Sequence, residues 1–509
     1  MTAAGAMTAA APRDLALSLV SHTNAGKTTL ARTLLRRDVG EVRDAPHVTE
    51  FADAHPLIET AGGERLVLWD TPGFGDSARL LRRLRHASDP IGWFLSQVWD
   101  RWRDRPFWSS QQALRHLRAQ ADVMLYLVNA AEAPEAAGYV EPEMEILAWL
   151  GKPVVVLLNQ LGAPRAPAVE DAELARWRAH LERCPLVRAV LPLDAFARCW
   201  VQEFVLLRAI EDVLEGDLQA RMARLLAAWR DREVGVFEAS MGALAAGLAR
   251  AALDAEPLVE GGGLKAALRQ AGAALGVARG EARTEAAAQQ ALSDRLEAGV
   301  RDGTLELLGL HGLGGSVERE IRARVADHYR THLRLDETGA AVWGGAITGA
   351  LSGLGADVMS GGLTFGAGML AGGVLGALGA AGIARGMNVA RGTDRSWVTW
   401  SPQALDRLAD AALLRYLAVA HFGRGRGDWV QGESPPHWAD VVGAALAPRR
   451  AELAQVWAQR PMPGGAPSAD VAAVAARCGR VLIDAGRAAL VRLYPVAGKV
   501  FDAPSDARA

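Results

Sequence analysis

Leu15-Ala16-Leu17-Ser18-Leu19-Val20, then Ser21-His22-Thr23-Asn24-Ala25-Gly26-Lys27-Thr28-Thr29, then Leu30-Ala31-Arg32-Thr33-Leu34-Leu35, reads as an apolar strand, a tight polar loop and a helix. That order is the build of a nucleotide phosphate cradle. Backbone N–H groups of Ala25 to Thr29 and the helix N-terminus face the anion, Lys27 adds a point charge, and the Thr28 hydroxyl is placed for Mg²⁺. The usual first residue of such a loop is Gly. Ser21 stands there instead, and is expected to restrict a backbone position that often needs left-handed freedom.

Downstream, a weaker strand signal near His55 to Thr60 precedes a clear one, Arg65-Leu66-Val67-Leu68-Trp69, which runs into Asp70-Thr71-Pro72-Gly73. An acidic residue at the end of an apolar strand, with Gly three positions on, brings a carboxylate near Mg²⁺ and a free backbone N–H near the γ-phosphate. Either motif alone is common; the two in this order, about 45 residues apart, are specific. Apolar runs at 122–128 and 153–158 follow, with a helix-like Glu141 to Leu150 between them and a sixth strand near Val187 to Leu191. Continuous apolar strands alternating with helices imply a parallel-rich sheet buried on both faces, an α/β fold. A nucleotide-free α/β domain would leave Gly26-Lys27-Thr28 without a purpose.

Asn24 in the cradle, Asp70-Thr71-Pro72-Gly73 followed by Phe74, and Asn159 at the end of the fifth strand resemble the Era and TrmE group of translation-factor-class P-loop GTPases. The whole chain, with Asn159-Gln160-Leu161-Gly162 and the later His421-Phe422-Gly423-Arg424-Gly425-Arg426-Gly427, resembles a bacterial family of GTPases with a C-terminal domain of unknown function. The first resemblance implies that Lys27 and Thr28 hold phosphate and Mg²⁺, that Asp70 reaches Mg²⁺, and that Gly73 senses the γ-phosphate. Thr49 is the mobile-loop threonine of choice for completing the metal shell, with Thr60 as its rival. In that group an Asn at the position of Asn24 helps hold a K⁺ ion beside the phosphates. Phe74 stands where a Ras-like enzyme has its water-orienting Gln, and a phenyl ring orients no water. The resemblance therefore implies slow hydrolysis of GTP, stimulated by K⁺ or by pairing of two nucleotide domains into a homodimer. Asn159 and Gln160 fall in the base-reading motif, but Gly162 replaces its carboxylate. Charge-assisted hydrogen bonds contribute roughly 1.5–3 kcal/mol each, so discrimination of GTP over ATP is weakened, and GTP is kept through the resemblance alone.

The chain has 509 residues, a net charge of -2 and three widely spaced cysteines. That length calls for two or more domains, and the charge gives no pull towards nucleic acid. The cysteines suit neither a zinc site nor a disulfide framework, which points to a cytoplasmic setting. No nucleophile triad or metal-ligand spacing of His is present. Residues 1–12 read as a disordered tail rather than a signal peptide, and 13–215 as the nucleotide domain. Its insertion, 75–120, is rich in Arg and Trp; Phe94, Val98 and Trp102 lie four apart, as a helical face for a partner or a membrane interface would, or as a helix packed on its own domain would.

From about Trp200 the strand signals fade, with Leu207, Ile210, Leu214 and Leu218 stepping along one amphipathic helix; residues 216–338, with Gly261-Gly262-Gly263 as a break, and 385–509 read as helical. Between them, Gly339 to Ala384 contains Asp357 as its one charged residue, and Gly345, Gly349 and Gly353, like Gly368, Gly372 and Gly376, recur every fourth position. Such spacing lets helices approach closely in a bilayer. Arginines flank both sides, as an inner-membrane hairpin with two cytoplasmic ends requires. The sequence thus describes a GTP-binding switch associated with membrane lipid. A nucleotide-binding scaffold that hydrolyses little, and a soluble nucleotide-gated interaction protein with its hairpin packed internally, are the alternatives.

Overall fold

The computed structural model describes residues 14–22, 25–35, 53–74, 76–97, 99, 104–160, 167–193, 199–258, 274–313, 387–391, 396–421, 437–459 and 467–502. The chain divides into two compact units, the first running up to Glu233 and the second beginning at Val234.

The first unit is built on six strands: β1 (Leu15–Ser21), β2 (Asp53–Glu59), β3 (Arg65–Asp70), β4 (Val123–Asn129), β5 (Val154–Asn159) and β6 (Val187–Pro192). They lie in the order β2-β3-β1-β4-β5-β6. β1 runs parallel to both β3 and β4, and the parallel pairing continues through β5 to β6. Every residue of β1 and β5 is buried, which is why these strands read as unbroken apolar runs. The weak strand signal has its own cause. β2 pairs antiparallel with β3 on the sheet edge, and its register shifts between Pro56 and Ile58. Proline has no N–H to give to a ladder, so an edge strand with a bulge is where a sheet tolerates it.

Helices α1 (Lys27–Leu35), α4 (Arg105–Ala119), α5 (Val140–Ala148) and α6 (Pro167–Leu181) connect the strands. Between β3 and α4 the chain adds two short helices, α2 (Ser77–Leu84) and α3 (Pro90–Ser96). Asp76 caps α2 by accepting from the Arg79 N–H, and Asp89 caps α3 by accepting from the Gly92 N–H.

The expected helical face through Phe94, Val98 and Trp102 does not form as one helix. α3 ends at Ser96, Gln97 is extended, and Gln111 on α4 donates to the carbonyls of Phe94 and Gln97, taking up backbone acceptors a longer helix would have used. Val98 and Trp102 lie outside the described residues. Phe94 is buried and meets Trp99, which stacks on Phe107 at 4.8 Å. Arg83 lies over both of the latter rings, at 5.2 and 4.7 Å. These aromatic residues pack within their own domain, while Trp93 is exposed.

α7 (Trp200–Val213) is capped at Leu214, and α8 (Gly216–Leu253) starts after it on Gly216 at φ +61°. The single helix expected through Leu207, Ile210, Leu214 and Leu218 is therefore two. α8 begins in the first unit, where Arg224 clamps Glu64 of the β2–β3 hairpin with two hydrogen bonds of 2.9 and 2.6 Å; Arg221 lies 3.7 Å from the same carboxylate. Arg224 first, then Arg221, holds the Glu64 carboxyl below its ordinary value.

In the second unit a small antiparallel sheet departs from the all-helical expectation. β7 (Ala255–Leu258), β8 (Met387–Arg391) and β9 (Ser396–Trp400) lie in the order β7-β9-β8. Ser396-Trp397-Val398-Thr399-Trp400 is rich in β-branched and aromatic residues, a strand signal outweighed by the Ala- and Leu-rich surroundings. The helices Ala274–Leu310, Pro402–Ala420, His437–Leu446, Arg450–Ala458, Pro467–Leu493 and Ala497–Asp502 complete this unit. As the sequence periodicity implies, Leu405, Leu408 and Ala412 are buried, and the Trp457 indole N–H donates to Asp406 at 2.8 Å.

The apolar segment Gly339 to Ala384 lies outside the described residues. Among those described, one helix, Gly216–Leu253, is long and apolar enough to cross a membrane, and half of its most apolar window is buried within the protein.

His116 on α4 packs against Trp69 with centroids 4.5 Å apart and planes tilted by 48°, and its Nε2 lies 3.1 Å from the Ser18 hydroxyl. Burial, and then the Lys152 charge, push its imidazole down from 6.5 to about 4. A depressed histidine takes up its proton at higher pH when unfolded than when folded, so its contribution is complete above 6.5 and lost as pH falls towards 4. The melting temperature of the protein is expected to drop across that window, and to drop less steeply in His116→Gln. Parallel curves for the two proteins, read by circular dichroism, would contradict this.

Candidate functional site

The site lies where the C-terminal ends of β1 and β3 meet. These strands are neighbours in register, with Leu19 opposite Asp70. Beyond the sheet, the Phe74 N–H donates to the Ser21 carbonyl at 3.0 Å, and a bridge pairs His22 with Phe74. The phosphate loop and the segment after Asp70 are thereby held side by side. Thr28, at the start of α1, donates from its hydroxyl to the Asp70 carboxylate at 2.6 Å. Two hard oxygen donors at that separation, on a cradle of backbone N–H groups, fit Mg²⁺, whose remaining ligands are ordinarily phosphate oxygens and water. Among the described residues there is no cluster of three or more His, Cys, Asp or Glu that offers a competing metal site.

Lys27 is half-buried and donates to the Ser21 hydroxyl at 3.0 Å. Burial lowers the pKa of its ammonium, while Asp70 and Glu143 favour the charged form. An ammonium held in this manner is poised for an anionic ligand, which would return what burial removes.

Ser21 carries no strain. It is the last residue of β1, and Gln160 is the one non-glycine with a positive φ among the described residues. The left-handed position of the loop is taken by Gly26, at φ +86°. A Cβ built there would stand 2.7 Å from the Asn159 amide nitrogen, so both conformation and space demand glycine. Asn159 donates from that nitrogen to the Ala25 carbonyl at 2.9 Å, tying the end of β5 to the loop. Gln160 follows at φ +59°, a conformation that costs about 1–3 kcal/mol and places its amide near Gly26.

Thr60 sits in the β2–β3 turn, at the end of β3 opposite Asp70, where its hydroxyl accepts from the Glu64 N–H. Gly73 is buried beside Phe74, and the Phe74 ring belongs to the hydrophobic core with Val20, Leu80 and Leu84. Thr29 is buried in the first turn of α1. Asn24, Thr49 and Gly162 lie outside the described residues. The structure thus brings Ala25, Gly26, Lys27, Thr28, Asp70, Gly73, Asn159 and Gln160 together at one end of the sheet.

Sequence reasoning passed over Glu143, a buried carboxylate behind the loop. Its signal was present: Glu143 shares the apolar face of α5 with Val140, Met144 and Leu147, where a charged residue has no place without partners.

Residues 16–160 match the family described as 50S ribosome-binding GTPase, and residues 178–466 match a domain of unknown function, DUF3482. No curated protein matches the chain. Among solved structures, Era from Aquifex aeolicus bound to GDP and AlF4⁻ is 19% identical with a TM-score of 0.30, over 45% of this chain and 68% of that one. Era in complex with MgGDPNP and a segment of 16S ribosomal RNA is 20% identical with a TM-score of 0.29, over 44% and 67%. NFeoB from S. thermophilus bound to mGMPPNP is 16% identical with a TM-score of 0.23, over 45% and 70%. The sheet, the cradle and the family match define a P-loop GTPase domain, joined to a largely helical region. Because the match to DUF3482 spans more than half of its length, the chain belongs to that family.

Gly26→Ala is expected to weaken GTP binding by about tenfold or more, since the new methyl must displace Asn159 and the backbone must leave φ +86°. Titration with a fluorescent GTP analogue checks it. Unchanged affinity would mean that the loop does not hold the nucleotide.

Proposed function

We propose that this chain is a membrane-associated GTP switch, which hydrolyses GTP to GDP with Mg²⁺ and K⁺ and passes its nucleotide state to its helical region. The observation that carries the reading is the contrast between the two ends of β3. At one end Asp70 adjoins Thr28; at the other, Glu64 is clamped by Arg224 of α8. A shift of β3 with nucleotide state would therefore pull on the long helix that continues into the second unit.

Lys27 and the loop N–H groups bind and orient the phosphates, and Thr28 and Asp70 hold Mg²⁺, which supplies positive charge to the developing transition state. Thr49 would complete the metal shell, and Gly73 would sense the γ-phosphate. The burial of Phe74 favours hydrolysis without a water-orienting side chain at that position, with the missing charge coming from K⁺ at Asn24 or from a second nucleotide domain in a homodimer. The same burial also favours a second reading, a nucleotide-binding scaffold that hydrolyses little.

The membrane part rests on the composition of Gly339 to Ala384, read as a lipid-inserted hairpin between 216–338 and 385–509, with the nucleotide domain, 13–215, in the cytoplasm at the inner membrane. A soluble nucleotide-gated interaction protein is the reading without that insertion. No nucleic-acid partner is proposed.

Full-length protein is expected to hydrolyse GTP about tenfold faster in K⁺ than in Na⁺, and Lys27→Ala to abolish turnover. Equal rates in both salts, independent of protein concentration, would refute the K⁺ and homodimer mechanism, and negligible turnover with intact binding would favour the scaffold. In cell fractionation the protein should stay with membranes through a carbonate wash. Its release into the soluble fraction would refute lipid insertion.

A further inference from the structure

Behind the phosphate loop lies a buried polar cluster that nucleotide contact does not explain. Glu143, in the first turn of α5, has no exposed surface. One carboxylate oxygen is 2.7 Å from His22 Nδ1, and the other accepts from the Tyr126 hydroxyl on β4 at 2.6 Å. Ser77, the first residue of α2, also hydrogen-bonds to this carboxylate. The His22 ring is itself fixed, stacked on Tyr139 with centroids 4.6 Å apart and planes at 21°.

Burying a carboxylate costs several kcal/mol unless donors and charges compensate for it. Burial does push the Glu143 carboxyl above its ordinary value, with His22, Tyr126 and Ser77 opposing the shift. A Met or Leu at this position of α5 would fill the same core at no such cost. What an apolar residue would lack is the tie between segments that are far apart in sequence.

Two of the tied segments are the ones a nucleotide must keep in a defined relation. His22 is the second residue of the phosphate loop, and Ser77 lies four residues past Gly73. The backbone bond between Phe74 and Ser21 joins the same two segments on the strand side. Glu143 joins them a second time, through side chains.

We propose that Glu143 is a positioning residue for the GTPase: it holds the phosphate loop through His22 and the γ-phosphate-sensing segment through Ser77, so that discrimination between GTP and GDP passes through one buried carboxylate. This rests on the reading of Gly73 as the sensing residue. A purely structural role would weaken binding of both nucleotides alike or only lower stability. The positioning role separates them, because the link to Ser77 matters when a γ-phosphate is present.

The test measures, on full-length protein, the affinity for GDP and for a non-hydrolysable GTP analogue, together with kcat and KM for GTP. Ser77→Ala should keep GDP affinity within about twofold and weaken the GTP analogue about fivefold, the size of one lost hydrogen bond. Glu143→Gln, which keeps the shape and removes the charge, should weaken the GTP analogue at least about fivefold more than GDP and lower kcat by about tenfold. Should Glu143→Gln fail to fold, Ser77→Ala decides alone. A wild-type ratio of GTP to GDP affinity in Ser77→Ala would overturn the proposal, whatever the melting temperatures. Lys27→Ala serves as the separate control: if it binds both nucleotides as the wild type does, the nucleotide site itself has been misassigned.

Discussion

The parallel pairing of β1 with β3 is the constraint on which the site depends. Leu19 lies opposite Asp70, and the Phe74 N–H extends the contact to the Ser21 carbonyl after the regular strands have ended. The loop that receives phosphate and the carboxylate suited to Mg²⁺ are thereby brought to one sheet edge, with Thr28 and Asp70 2.6 Å apart. Parallel strands end at the same edge of the sheet, so residues distant in sequence converge there without any loop having to reach across.

Charge burial shapes the surroundings of that edge. Lys27 is half-buried, its ammonium disfavoured by desolvation and favoured by Asp70 and Glu143. Glu143 is buried in turn, its carboxylate met by His22, Tyr126 and Ser77. A buried carboxylate is costly without such donors, and these fix it in place. On the other side Asn159 holds Ala25, and the space it takes is available because residue 26 is glycine.

Away from the site, polar side chains repeatedly decide where elements stop and what they touch. Gln111 takes the carbonyls of Phe94 and Gln97 as α3 ends, and Phe94, Trp99 and Phe107 collect beneath Arg83. Lys152 donates to the carbonyls of Leu117, Arg118 and Ala121 as α4 ends. The Glu64 clamp by Arg224 anchors the turn of the β2–β3 hairpin, whose backbone is closed by Gly63 at φ +79°. Apart from the buried bond from Gln111 to Phe94, these bonds lie on the surface or half-buried, where they orient more than they stabilise.

Much of the nucleotide domain was legible in the chain. Buried parallel strands must be apolar on both faces, so β1, β4 and β5 announced themselves, and Gly26, Lys27, Thr28 and Asp70 are the residue types that phosphate and Mg²⁺ require. The helical character of 385–509 was also legible, because helix-forming composition and an amphipathic stripe are properties of neighbouring residues. Periodicity could not reveal β7 and β9, whose pairing depends on residues more than a hundred positions apart, nor the break at Leu214 that splits one apolar stripe into two helices. The concern over Ser21 dissolved for a similar reason, since only the register of β1 shows that the left-handed turn falls on Gly26. The roles of Phe74 and Glu143 were likewise decided by tertiary structure. Whether an aromatic ring faces water or core, and whether a glutamate on an apolar face finds His22, Tyr126 and Ser77, depends on which distant segments fold against it, and no local pattern carries that information.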